Sequence, residues 1–185
     1  YVAYVIDISV STVFCVTDIV APYQRFISAD AKNPPPENWI DFIPETENVL
    51  SASKGGGYFF AEYMIDALSR VYQYDYSGNF IREIPLPGMG SVSAITGKKE
   101  ATTLYYSFSN YITPSTSFAL DLQTNISTVY QISGVEFASD YFVSKQVFYP
   151  SKDGTMIPMM ITHKKEIELN GKNPTMFYGY GGFNI

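Results

Sequence analysis

RVYQYDYSGNFIREIP, at residues 70–85, contains two short alternating strands joined by a turn that begins at an aspartate. The same pattern occurs twice more, in RFISADAKNPPPENWIDFIP at residues 25–44 and in SFALDLQTNISTVYQI at residues 117–132. The corresponding aspartates, 45 and 46 positions apart, are Asp30, Asp75 and Asp121. Residues typical of turns follow each of them, so we expect the aspartates to form turns, with ion binding as the alternative. The sequence therefore contains a repeat of about 45 residues.

Two more strands precede each later copy of the pattern. They are VLSAS at 49–53, YFFAEYM at 58–64, VSAIT at 92–96 and TLYYSFS at 103–109. Four short strands per repeat are typical of a β-propeller blade. We expect two blades, at about 47–90 and 91–133, and a partial blade before them. A β-sandwich is the alternative, but its turns would not recur in register. Propellers have about four to eight blades, so this would be part of a larger propeller.

Composition excludes several classes of function. The net charge of the 185 residues is −6, and no stripe of Lys or Arg is present, which argues against nucleic-acid binding. The apolar residues 1–20 include Asp7 and Asp18 and are expected to form strands, not a membrane span. The single cysteine, Cys15, and the single histidine, His163, exclude a disulfide and a His- or Cys-rich metal site. We therefore predict no cofactor and no metal, and a buried Cys15.

The repeat stops after Ile132, and a different pattern begins. FYPSKDGTMIPMMITHKK, at 148–165, predicts two strands around a turn at Asp153 and Gly154. PTMFYGYGGFNI, at 174–185, predicts a buried strand that runs into a glycine-rich loop, as at the active-site edge of α/β domains. We expect residues 1–134 to belong to the propeller and residues 135–185 to begin a second domain.

These strings resemble the prolyl oligopeptidases, and GVEFASDY at 134–141, VYQYD at 71–75 and PENWIDFIPE at 36–45 fit the same family. The resemblance implies a seven-bladed propeller that covers an α/β-hydrolase domain. It implies that 1–134 are the last, C-terminal blades and that 135–185 start the second part of the hydrolase domain. The overall fold class would be mainly β. The implied activity is hydrolysis of short peptides on the carboxyl side of proline, by acyl transfer through a serine.

Two site residues follow from the resemblance. Tyr180 matches the tyrosine whose hydroxyl donates to the oxyanion of the tetrahedral intermediate, and Phe183 matches a phenylalanine that lines the pocket for the substrate proline. A core role for the tyrosines is the alternative, and Tyr178 would face the same side as Tyr180 in a regular strand. His163 is expected at the surface or at a sheet edge. No G-x-S-x-G string is present, so we expect the isolated segment to be inactive.

The expected partners are short proline-containing peptides, with no nucleic acid and no membrane, and the full-length enzyme is expected to be a monomer. A cytoplasmic location is expected, with a periplasmic or secreted one as the alternative. Two other functions stay open at this point. One is a non-enzymatic propeller that serves as a binding module, and the other is a hydrolase relative without a triad.

Overall fold

The computed structural model describes residues 2–179 and is mainly antiparallel β-structure, as the sequence predicts. It divides into two compact units, one that ends at Val135 and one that begins at Glu136. The first unit contains three four-stranded sheets, and the second contains a two-stranded sheet. No helix in the described part of the chain is long and apolar enough to cross a membrane.

Blade 1 consists of β1 (Ala3–Ser9), β2 (Thr12–Thr17), β3 (Arg25–Asp30) and β4 (Ile40–Ile43), paired in that order. A single 3₁₀ turn, Pro36–Asn38, lies in the loop before β4. The expectation of a partial blade is wrong, because the sheet has all four strands. The turn between β1 and β2 consists of Val10, at φ 58°, and Ser11, and it contains no Gly, Pro, Asn or Asp, so the sequence carries only a weak turn signal there.

Blade 2 consists of β5 (Leu50–Gly55), β6 (Tyr58–Ile65), β7 (Leu68–Tyr74) and β8 (Phe80–Glu83). These strands also pair in sequence order, and every pair is antiparallel. The turn between β5 and β6 has φ +60° at Gly56 and +76° at Gly57, which glycine adopts without a steric penalty. Two successive residues with positive φ give the twist that a tight hairpin requires.

Blade 3 consists of β9 (Ser91–Val92), β10 (Thr103–Asn110), β11 (Thr113–Asp121) and β12 (Ile126–Gln131). Its strand order follows the sequence, as in the other two blades. The predicted strand at 92–96 is interrupted. Regular pairing stops at Val92, and a single bridge then joins Thr96 to Tyr105.

The blades pack face to face through the alternation of side chains along β6. Phe59 faces a cluster shared with blade 1, whereas its neighbour Phe60 faces a cluster shared with blade 3. Both rings are almost fully buried. The central blade therefore buries both faces against neighbours, which is how propeller blades are stabilised.

The second unit begins with a short 3₁₀ helix, Ser139–Tyr141, followed by β13 (Phe142–Pro150) and β14 (Met156–Lys164). The two strands form an antiparallel hairpin with unbroken register from Phe142↔Lys164 to Pro150↔Met156. No further strand is present in this unit up to residue 179.

Candidate functional site

The hairpin turn of the second unit is held by one aspartate. The carboxylate of Asp153 accepts hydrogen bonds from the hydroxyl of Ser151 and from the backbone N–H of Thr155, the latter at 3.0 Å. These bonds, the Ser151 hydroxyl first, lower the pKa of Asp153 to about 2. Gly154 has φ +89°. The predicted turn at Asp153–Gly154 is therefore confirmed, and it fixes the register of β13 and β14.

A loop folds back along β14 and precedes the predicted site. The side-chain amide of Asn173 donates to the carbonyl of Glu168 at 2.7 Å, and Asn170 Oδ1 accepts from the backbone N–H of Lys172 at 3.0 Å. The loop and β14 enclose a groove of about 390 Å³, whose wall includes His163 and Met176. The described part of the second unit is thus a hairpin with a locally hydrogen-bonded loop beside it.

The segment at 174–179 is neither a strand nor buried, so that prediction is wrong for these residues. Met176 is 93% exposed, and Phe177 and Tyr178 are each 79% exposed. A buried central strand needs hydrogen-bonding neighbours on both sides. The described residues of this unit supply only β13 and β14, which pair with each other.

The two predicted site residues, Tyr180 and Phe183, lie outside the described residues. Their roles therefore stay predictions. His163, in contrast, is placed. It lies on β14 opposite Val143, in a sheet whose two strands are both edges, and its Nδ1 is 2.7 Å from the carbonyl oxygen of Lys164. The expectation of an edge residue is confirmed.

The three repeated aspartates occupy equivalent positions at the ends of β3, β7 and β11. The backbone N–H groups two to four residues later donate to them: Lys32 to Asp30, Ser77 and Asn79 to Asp75, and Gln123 and Thr124 to Asp121. Hydrogen bonds from Asn79 hold the pKa of Asp75 below its usual value, and those from Thr124 and Gln123 lower the pKa of Asp121. The turn-forming role predicted for them is confirmed.

A polar network that the sequence analysis missed connects the three blades. The carboxylate of Asp7, in β1, accepts hydrogen bonds from Lys54, in β5, and from the hydroxyl of Tyr76. The ammonium group of Lys99, in blade 3, lies 4.5 Å from the centroid of the Tyr76 ring. Burial raises the pKa of Asp7, but the hydrogen bonds from Lys54 and Tyr76 outweigh it, so the net shift is downward.

The cysteine and the carboxylates of the propeller show no arrangement for catalysis or metal binding in the part of the chain that the structure describes. Cys15 is buried beside Ile27, Ala29 and Trp39, as expected, and burial raises the pKa of its thiol. A raised pKa leaves little of the thiolate that a nucleophile needs. Among residues 2–179, no three His, Cys, Asp or Glu side chains lie close enough to hold a metal ion.

Comparison with known proteins agrees with this architecture. Residues 2–133 match the model of the prolyl oligopeptidase N-terminal β-propeller domain. The prolyl endopeptidase of Elizabethkingia miricola is 50% identical over 180 residues, which cover 97% of this chain and 26% of that protein. The prolyl endopeptidase of Dictyostelium discoideum is 31% identical over 195 residues, or 98% of this chain and 26% of that protein. The chain spans about a quarter of the length of these relatives.

Solved structures agree as well. Prolyl oligopeptidase B from Galerina marginata, bound to a 35mer hydrolysis and macrocyclization substrate, superposes with a TM-score of 0.82 at 30% identity. The superposition covers 98% of this chain and 26% of that one. A prolyl endopeptidase from a study of inter-domain dynamics superposes with a TM-score of 0.76 over 87% of this chain and 24% of its own, at 31% identity. The structure contains three propeller blades, the family model matches most of the chain, and one relative is 50% identical. Because these findings agree, the chain belongs to the prolyl oligopeptidase family.

Proposed function

We propose that the protein containing this sequence hydrolyses short peptides on the carboxyl side of proline by acyl transfer through a serine. The observation that carries the proposal is the 50% identity, over 97% of this chain, to a prolyl endopeptidase. The Galerina marginata relative is described with a bound peptide substrate, which supports peptides as the substrate class. The three blades would contribute to a gate that admits only short, unfolded peptides to an enclosed site.

Within this proposal, residues 1–134 are C-terminal blades of the propeller and residues 135–185 begin the hydrolase domain. The hairpin β13–β14 and its loop would then lead the chain to the site residues. The triad serine would lie in another part of the protein, because the sequence contains no G-x-S-x-G string, and the triad aspartate and histidine are expected there with it. The 185-residue chain by itself is therefore expected to be inactive.

Tyr180 is proposed as the donor to the oxyanion, and Phe183 as a wall of the proline pocket. A phenol with a pKa of about 10 stays protonated at neutral pH and can donate to a developing negative charge. Such a donor in a dry site contributes about 100- to 1000-fold to the rate. Proline has a compact apolar ring and no N–H, so an aromatic wall suits it.

The test uses a full-length protein that carries this sequence and a chromogenic Gly-Pro peptide, with Gly-Ala as the comparison substrate. Tyr180→Phe is expected to lower kcat by at least about tenfold and to change KM little, because the hydrogen bond forms only in the transition state. Tyr178→Phe is the matched control, since it removes the same group two positions earlier from a side chain that is 79% exposed. Equal effects of the two substitutions would refute the role of Tyr180. No cleavage of either peptide by the full-length protein would instead favour a binding module or a relative without a triad.

A further inference from the structure

A groove of about 360 Å³ opens on the face of blade 2 that also contacts blade 1. Half of the residues that line it are aromatic: Tyr63 on β6, Tyr72 and Tyr74 on β7, and Phe80 on β8. The loop between blades 1 and 2 adds Glu47, an exposed residue, to the lining of the same groove. We name this feature, defined by these five residues, the tyrosine groove.

The four rings form a continuous wall. The ring centroids of Tyr63 and Tyr72 are 5.9 Å apart, those of Tyr72 and Phe80 6.3 Å, and those of Tyr74 and Phe80 5.9 Å. The faces of aromatic rings carry negative electrostatic potential, and tyrosine faces attract cations within about 6 Å of the centroid. A wall of this kind therefore suits a cationic or flat apolar group.

The hydroxyl of Thr46, at the edge of the groove, is hydrogen-bonded to the backbone of Asn48, but the phenols and the glutamate of the groove have no such partner in the described part of the chain. The hydroxyls of Tyr63, Tyr72 and Tyr74 make no hydrogen bond there, and Glu47 forms no ion pair. Burial raises the pKa of Tyr63 to about 12 and also raises the pKa of Tyr74. The phenols stay neutral at physiological pH, so the carboxylate of Glu47 provides the charge of the groove.

Elsewhere in the chain, a tyrosine ring beside a carboxylate already binds a cation, which is the side chain of one of the chain's own lysines. The ring of Tyr76 lies under the ammonium group of Lys99, with 4.5 Å to the centroid, while its hydroxyl donates to the carboxylate of Asp7. The tyrosine groove has the aromatic faces and the carboxylate, but the described residues that line it include no Lys or Arg.

We propose that the tyrosine groove binds the cationic side chain, arginine or lysine, of a peptide. Its volume accommodates one such side chain, the partly exposed rings of Tyr72, Tyr74 and Phe80 offer surface for stacking, and Glu47 offers the complementary charge. The net charge of −6 favours the approach of a cation. This site lies on the propeller and needs no triad, so it goes beyond the proposed peptidase activity, and its binding is measured independently of that activity.

The test is calorimetric titration of a protein carrying the full sequence with N-acetyl-arginine methylamide, at low salt. The neutral isostere N-acetyl-citrulline methylamide and choline are titrated in parallel. Arginine is expected to bind at least about fivefold more tightly than citrulline, the equivalent of about 1 kcal/mol for a partly exposed cation–π and carboxylate site. Comparable binding of citrulline would overturn the proposal. Tighter binding of choline than of arginine would also overturn it, because it would indicate a small quaternary ammonium ligand.

Substitutions distinguish binding at the tyrosine groove from non-specific attraction of a cation to an acidic protein. Glu47→Gln and Tyr74→Leu are each expected to weaken arginine binding at least about threefold. Phe80→Leu repeats the test at a ring that is 57% exposed, so it provides the result if Tyr74→Leu does not fold. Glu37→Gln, in the exposed turn Pro36–Asn38, is the matched control and should leave the affinity unchanged. An equal loss with Glu37→Gln, or no loss with Glu47→Gln, would refute the site.

Discussion

The carboxylate of Asp7 in blade 1 accepts a hydrogen bond from the hydroxyl of Tyr76 in blade 2, although 69 positions separate the two residues. Lys54, from the first strand of blade 2, donates to the same carboxylate. The side chain of Asp7 is 11% exposed and that of Lys54 is 44% exposed, so the pair is partly desolvated. One carboxylate therefore connects two blades by a charged contact in addition to their apolar cores.

Asp7→Asn is expected to lower the free energy of unfolding by about 1 kcal/mol, measured by urea denaturation. Asparagine keeps an acceptor for Tyr76 but loses the charge that attracts Lys54. Glu83→Gln is the control, because the pair of Glu83 with Arg70 is exposed on both sides and should contribute no more than about 0.5 kcal/mol. Equal losses would show that the contact between the blades is no stronger than a surface ion pair.

The contribution of Asp7 should also depend on pH. Its pKa is lowered in the folded protein, so its stabilisation is fully present above the unfolded value of about 4 and is lost as the pH falls through the folded value. The difference in Tm between the wild type and Asp7→Asn should be constant between pH 5 and 7, on the order of a few degrees, and should shrink below about pH 4. Thermal unfolding followed by circular dichroism measures it, and a difference in Tm that does not shrink at all between pH 5 and pH 2 would contradict the role of the charge.

The glycines of the β5–β6 turn allow a matched pair of substitutions. Gly57→Ala places a Cβ 3.6 Å from the nearest atom, so it is expected to cost only the left-handed backbone conformation, about 1 kcal/mol. Gly56→Ala has the same backbone penalty, and its Cβ would also overlap the side chain of Leu122 and approach the carbonyl oxygen of Ala101 to 2.8 Å. We expect a further loss of roughly 1–3 kcal/mol by chemical denaturation. Equal effects of the two substitutions would refute the close packing of this turn against blade 3.

The aspartates at the blade corners are expected to differ in importance. Asp75 accepts two backbone bonds and one from the side chain of Asn79, Asp121 accepts two backbone bonds, and Asp30 accepts one. The decrease in Tm on substitution by alanine should follow the same order, with Asp75→Ala the largest. The corresponding asparagine variants keep an acceptor for the turn and should recover most of the loss. An order unrelated to these bonds would mean that the carboxylates do not hold the turns.

The sequence predicted blades 2 and 3 because each blade ends its third strand with an aspartate that must satisfy the backbone of a turn. These aspartates recur at nearly the same spacing, so the repeat can be recognised from the sequence alone. Strands were expected within residues 1–20, and β1 and β2 lie there, but the hairpin that joins them and completes blade 1 was missed because Val10 occupies a left-handed position that sequence rules reserve for Gly or Asn. A turn whose left-handed residue is valine, with a single serine beside it, leaves only a weak pattern to detect.

The candidate site was predictable only where local chemistry determines it. Asp153 and Gly154 specify their hairpin by themselves, and the structure contains it. The apolar string that ends in Tyr178 reads as a buried strand, but burial depends on distant neighbours that a local pattern does not contain. The contact between Asp7 and Tyr76 is equally non-local, and its only trace in the sequence is a charge inside the apolar strand AYVIDIS.

In each blade, the last two strands pair with each other whatever the length of the loop that follows the aspartate between them. Residues 31–39 lie between Asp30 and β4, whereas only 76–79 and 122–125 occupy the corresponding places in the other blades. The longer connection carries three consecutive prolines, and β3 and β4 still pair. The pairing of β3 with β4 therefore does not require a short connection, and we expect the blade to tolerate an epitope or a fluorescent label inserted between Lys32 and Pro34.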